Sequence, residues 1–193
     1  YTMTISATDT ASNAATPVSN TAITYDTTAP VISLVTPATS STVNSSFSAN
    51  YTLSEAVTSG TITFARTGGT SDGNSHTYNF ATGDKTSGAH SVTRATLEAG
   101  FGNALVSGAI YTMTIFATDT ASNAAIPVIN TGITYDNVSP TVTGVSSSTT
   151  NGSYTTGQTI NVDVSFSESV KVTGSPQITL ETGATDALVN YSS

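Results

Sequence analysis

The chain has 193 residues, a formal net charge of −8 and only 8% charged residues, against about 25% in an ordinary soluble domain. Its four basic residues, Arg66, Lys85, Arg94 and Lys171, are scattered, which excludes nucleic-acid binding and attachment to an anionic membrane surface, since both need clustered cations. No apolar run approaches the ~20 residues of a spanning helix, so no membrane insertion is expected in this segment.

Thr, Ser, Ala, Asn and Gly fill the place of the missing charges. Threonine, valine and isoleucine favour strands, because β-branched side chains suit a pleated surface. A surface wetted by hydroxyls, with very little lysine, points to an exported protein, extracellular or on a cell surface. Cysteine is absent, so the chain is not one of the disulfide-stapled secreted scaffolds.

An internal repeat sets the domain map. Residues 1–30, YTMTISATDTASNAATPVSNTAITYDTTAP, return at 111–140 as YTMTIFATDTASNAAIPVINTGITYDNVSP, with seven differences over thirty positions. The offset of 110 residues divides the chain into the C-terminal strands of a preceding unit (1–26), one complete unit (27–136) and the N-terminal part of a following, divergent unit (137–193).

Period-two alternation marks strands with one buried face. Seven are predicted in the complete unit, at about 31–37, 47–54, 59–66, 75–81, 88–95, 110–118 and 126–135. Phe47, Ala49, Tyr51 and Leu53 set the phase of the second, and Tyr111, Met113 and Ile115 that of the sixth. Ile160, Val162, Val164 and Phe166 repeat the pattern in the third unit. No stretch reads as a capped helix, and 96–109 is the segment with least pattern. Seven short antiparallel strands in about 110 residues predict an all-β, two-sheet sandwich.

The stretch LVSGAIY, Leu105 to Tyr111, resembles fibronectin type III and bacterial immunoglobulin-like repeats. It carries a leucine six residues before a tyrosine, with a glycine between. The resemblance implies a tyrosine corner, in which the Tyr111 hydroxyl bonds back to the backbone. ITYDTTAP (23–30) and ITYDNVSP (133–140) resemble the domain joints of long bacterial adhesins, a class that commonly lacks disulfides. ATDTASNAA (7–15 and 117–125) resembles their F–G turn, and LSEAV (53–57) and FSESV (166–170) their B–C turn. The implied architecture is a tandem series of immunoglobulin-like, fibronectin type III-like antiparallel β-sandwiches.

Catalytic patterns are weak. Gly69-Thr70-Ser71-Asp72-Gly73 fits G-x-S-x-G, but a nucleophile elbow needs a strand before it and a helix after it, and here strands are predicted on both sides. His76 and His90 lie on or beside strands, placed toward solvent or a strand neighbour, with no third nitrogen or sulfur ligand for a metal. Asp72, Asp84 and Glu98 are placed in solvated loops. No enzyme activity is expected.

One acidic constellation stands out. In an antiparallel sandwich the entering linker, the B–C loop and the F–G loop share one pole. That pole gathers Asn123 with Asp26, Glu55 and Asp119, three of only 12 acidic residues in the chain. Asp136 and Glu168 are the equivalents at the next joint, and Asp9 and Asn13 those of the preceding unit. Two readings stay open: a calcium site built from carboxylate, amide and carbonyl oxygens, or turn residues that bond their own backbone.

The expected role is a non-catalytic structural or adhesive repeat, a semi-rigid spacer in a long bacterial surface protein. Its partners would be neighbouring repeats of the same chain. The alternative is a self-assembling subunit of an extracellular fibre, sheath or surface layer, with other copies as partners.

Overall fold

A computed structural model describes residues 1–192, in two compact units, Tyr1–Asn137 and Val138 onward. The protein is mostly β, with several antiparallel sheets.

The first unit begins with a hairpin of β1 (Met3–Ile5) and β2 (Val18–Asn20). Next come β3 (Ile32–Thr36), β4 (Thr42–Val43), β5 (Ser48–Leu53), β6 (Ser59–Gly69), β7 (His76–Asn79) and β8 (Gly88–Thr93). An α-helix, α1 (Arg94–Phe101), separates them from β9 (Ala109–Thr118) and β10 (Val128–Tyr135). Strands β4-β10-β9-β6-β7 form a five-stranded sheet and β3-β5-β8 a three-stranded one. The chain switches sheets between β3, antiparallel to β5, and β4, parallel to β10.

The alternation of polar and apolar residues explains why the sheets share a core. In β5, Ala49, Tyr51 and Leu53 are buried between half-exposed Ser48, Asn50 and Thr52. In β9, Ala109, Tyr111, Met113, Ile115 and Ala117 are all buried, and every residue between them is half-exposed. Aromatic rings meet across the gap. Phe47 lies 6.0 Å from Phe64 and 6.2 Å from Tyr135, and Tyr51 stacks on Phe80 at 5.0 Å. Each such side chain contributes about 1.5–3 kcal/mol when fully buried, and together they join residues of both sheets in one hydrophobic core.

Helix α1 corrects the reading that no capped helix is present. The Thr93 side chain caps its start, accepting the Thr96 N–H at 3.3 Å. Gly102, left-handed at φ 75°, ends it by donating its N–H to the Glu98 carbonyl. The apolar signal is short because Leu97 is the helix's one buried residue. Glu98, expected in a solvated loop, lies on this helix, pairs with Arg94 and accepts the Leu105 amide at 3.0 Å.

The second unit contains two antiparallel hairpins, β11 (Val142–Ser146) with β12 (Asp163–Phe166) and β13 (Gln177–Leu180) with β14 (Ala187–Asn190). Among its described residues no hydrophobic side chain is buried. The alternation from Ile160 to Phe166 yields a strand only from Asp163 onward, and that strand is exposed along its length.

Candidate functional site

Three loops meet at one end of the first unit. The linker and the turn after β5 are stitched together where Val31 N–H donates to Ser54 Oγ and Ser54 N–H to the Val31 carbonyl. The same turn reaches the end of β9, where Thr58 Oγ donates to the Asp119 carbonyl at 2.7 Å and Thr58 N–H to the Thr118 carbonyl. These bonds place Asp26, Glu55 and Asp119 so that one carboxylate oxygen from each lies within 4.8 Å of the others.

Asp119 is buried, while Asp26 and Glu55 are half-buried. Asn123 ties the group together. Its backbone N–H donates to Asp119 Oδ1 and its side-chain Nδ2 to Asp119 Oδ2, both at 2.8 Å. The same Nδ2 reaches the Asp26 carbonyl at 3.2 Å. Burial raises the Asp119 pKa, but the Asn123 side-chain and backbone bonds and the Ala121 and Ser122 amides outweigh it and hold the carboxyl below its usual value. Asp26 accepts the Thr28 amide at 2.9 Å. Among the described residues the ion pairs are His76–Asp72 and Arg94–Glu98. Among the described residues no lysine or arginine pairs with the cluster, and its like charges repel at short range. Clustered carboxylate oxygens with an amide and carbonyls beside them are hard-cation chemistry.

The related positions differ. In the first hairpin Asp9 accepts the Asn13 amide at 2.8 Å and the Asn13 side chain at 2.9 Å, the same turn as at Asp119 but exposed. The Asn13 side chain is the leading cause that lowers the Asp9 pKa. Asp136 accepts the Ser107 hydroxyl at 3.3 Å in the first unit. Glu168 lies in the second unit, half-buried, with Oε1 buried and unbonded.

Leu105 and Tyr111 are buried, and the Tyr111 hydroxyl accepts the Val106 N–H at 2.9 Å. That hydroxyl also donates to Asp72 Oδ2 at 2.6 Å, a contact the sequence reading missed. Asp72 is not solvated: its side chain is fully buried, with His76 Nε2 donating to the same oxygen at 2.6 Å and the Asn74 amide donating to Oδ1 at 3.0 Å. Burial pushes the Asp72 pKa up, yet the Tyr111, His76 and Asn74 bonds bring it down to about 2. Burial raises Tyr111 well above the ordinary phenol value, and its bond to Asp72 adds to this.

His76 is therefore a core residue, where solvent or a strand neighbour was expected. The signal was legible, because His76 shares the alternation of Tyr78 and Phe80, both buried. His90 is half-buried, stacks on Tyr51 at 5.1 Å and bonds the Thr86 carbonyl. Asp84 is half-buried rather than free in a loop: it accepts the Tyr78 hydroxyl at 2.5 Å and the Ala81 amide at 3.0 Å. Burial, then the Asp84 bond, moves the Tyr78 pKa to about 12.

The G-x-S-x-G stretch spans the end of β6 and the loop before β7, so both flanks are strands. His76 gives Nε2 to Asp72, and its Nδ1 is buried without a partner. A serine–histidine pair is not formed. Compared with protein-family models, curated proteins and solved structures, the chain matches none.

Proposed function

We propose that this chain is a stretch of tandem immunoglobulin-like, fibronectin type III-like sandwiches acting as a non-catalytic, semi-rigid spacer in a long bacterial surface protein. The observation that carries the reading is the 110-residue repeat, whose second copy, 111–136, supplies two strands of a two-sheet core. The sheet switch between β3 and β4 and the Tyr111–Val106 bond support the immunoglobulin-like assignment. The hydroxyl-rich, lysine-poor composition supports an extracellular setting.

Calcium belongs to the same reading. Asp26, Glu55, Asp119 and Asn123 would hold it at the entry of the linker, with carbonyls and waters completing the six to eight oxygens the ion takes. Its charge would offset carboxylates that pair with no basic side chain among the described residues, and it would stiffen the joint. Titrating calcium into the protein and following its melting temperature tests this. A rise that chelator reverses supports a cation-stiffened spacer.

The runner-up is a subunit of a fibre, sheath or surface layer. Bare apolar side chains favour it, among them Val142 and Val145, each 58% exposed. Electron microscopy of the protein at increasing concentration separates the two, since rods of constant length fit a spacer and growing filaments or sheets fit a subunit.

A further inference from the structure

The first hairpin and the β9–β10 hairpin are one structure in two environments. Met3, Thr4 and Ile5 pair with Asn20, Ser19 and Val18, and at the 110-residue offset Met113, Thr114 and Ile115 pair with Asn130, Ile129 and Val128. The bridge Thr8–Ala14 returns as Thr118–Ala124. The turn bonds Asp9 N to Asn13 O and Ala15 N to Ala7 O return as Asp119 N to Asn123 O and Ala125 N to Ala117 O. Even the left-handed serine is kept, Ser12 at φ 73° and Ser122 at φ 71°.

What differs is cover. Tyr111, Met113 and Ile115 are completely buried and Tyr135 is 1% exposed, whereas Tyr1, Met3, Ile5 and Tyr25 are 81, 51, 62 and 75% exposed. In β9 one edge pairs with β10 and the other with β6 along the whole strand. Strand β1 pairs with β2 alone among the described strands.

The sequence differences fall outside the buried positions. Between 1–26 and 111–136 only four positions change: Ser6 for Phe116, Thr16 for Ile126, Ser19 for Ile129 and Ala22 for Gly132. None of the four in the second copy is buried, and every buried position is identical. A Cβ on Gly132 would meet Ser40 at an ordinary 3.5 Å. Ala22 already holds the required left-handed conformation, at φ 60°. The first hairpin thus keeps, side chain for side chain, the face that 111–136 uses to close the core.

We infer that the 1–26 hairpin is a docking element whose partner is a repeat segment with the chemistry of residues 31–110 but without final strands of its own, closed by the hairpin as 111–136 closes this one. An intact second copy is a poor occupant. Its slot holds its own 111–136, and exchange would bare as much apolar surface as it covers. The inference rests on the repeat reading above, not on the spacer role or on calcium.

The test extends the full 193-residue chain ahead of Tyr1 with a second copy of its residues 27–110 and follows amide hydrogen exchange. In the extended protein the β1 and β2 amides should slow by at least about 100-fold, toward the rates of β9 and β10, because they join a cooperative core. Met3→Asp in that protein should abolish the gain and leave β9 unchanged. Unchanged exchange of β1 and β2, or an added segment that stays unfolded beside a native 27–136 unit, overturns the inference. So does a concentration-dependent dimer of the unextended chain in which β1 and β2 become protected, since a second copy would then be the partner. Rod length and calcium response enter none of these readouts, so failure of the spacer reading is separately visible.

Discussion

The Tyr111 hydroxyl donates to Asp72 Oδ2 at 2.6 Å while accepting the Val106 N–H at 2.9 Å. One phenol therefore fixes the loop between β6 and β7 to the segment that leads into β9. Replacing Tyr111 with Phe removes an acceptor and a donor at a fully buried site. We expect a loss of about 1–3 kcal/mol, read as a lower urea midpoint with unchanged slope. An unchanged midpoint would show that the corner carries no stability.

Asp72 predicts an acid limb. Against burial, the bonds from Tyr111, His76 and Asn74 hold its pKa at about 2 in the folded protein, below the ordinary 3.8. The folded state thus favours the ionised form, and this stabilisation is complete above about pH 4. It is lost as pH falls toward 2, because the unfolded chain binds the proton first. Asp72→Asn should lower the melting temperature at pH 7 and flatten its decline between pH 4 and 2. Parallel curves for the two proteins would assign the acid limb to other carboxylates.

Glu55 separates the two readings of the acidic pole. Asp119 and Asp26 bond turn amides, so replacing either disturbs a turn as well as a ligand. Glu55→Gln removes one charge from the cluster and leaves those turns intact. Without calcium this variant should melt at or above the parent, because like-charge repulsion is relieved. With calcium it should show a smaller rise in melting temperature than the parent. Equal responses would mean that the carboxylates are turn residues alone.

Gly69 tests the backbone of β6. It sits at φ 65°, and a Cβ there would lie 2.1 Å from the Gly108 carbonyl oxygen. That oxygen also accepts the Thr70 amide, so it cannot retreat freely. Gly69→Ala should cost about 2 kcal/mol or more, from strain and clash together. Gly73, with nothing within 4 Å of its Cβ direction, is the control and should tolerate alanine.

The alternation was strong enough to place seven strands of the first unit, while β4, only two residues long, was missed because it carries no period. Met113 and Ile115, or Tyr51 and Leu53, leave one face apolar and the other hydroxylated. The acidic pole was legible too, because antiparallel topology fixes which loops share an end. Helix α1 was hidden, since eight residues with one buried leucine carry almost no period. Its caps, Thr93 and Gly102, resemble ordinary loop residues in so threonine- and glycine-rich a chain. The Asp72–His76–Tyr111 network was half legible. Strand phase puts His76 inside, but nothing local says that a loop aspartate folds in to meet it. In the second unit the period-two signal of Val164 and Phe166 was real. The strand it makes is exposed on both faces, because periodicity tells which side chains share a face and not what covers it.

In the proposed spacer, units of the 27–136 kind stack end to end into a stiff rod. Small-angle X-ray scattering on proteins carrying two, four and six head-to-tail copies of residues 27–136 tests it most directly. The account predicts a maximum dimension that grows linearly, by about 35 Å per copy from strands of about ten residues, with sharper linearity in calcium than in chelator. Growth as the square root of copy number, as for a flexible chain, or lateral association into sheets at every length, would contradict it.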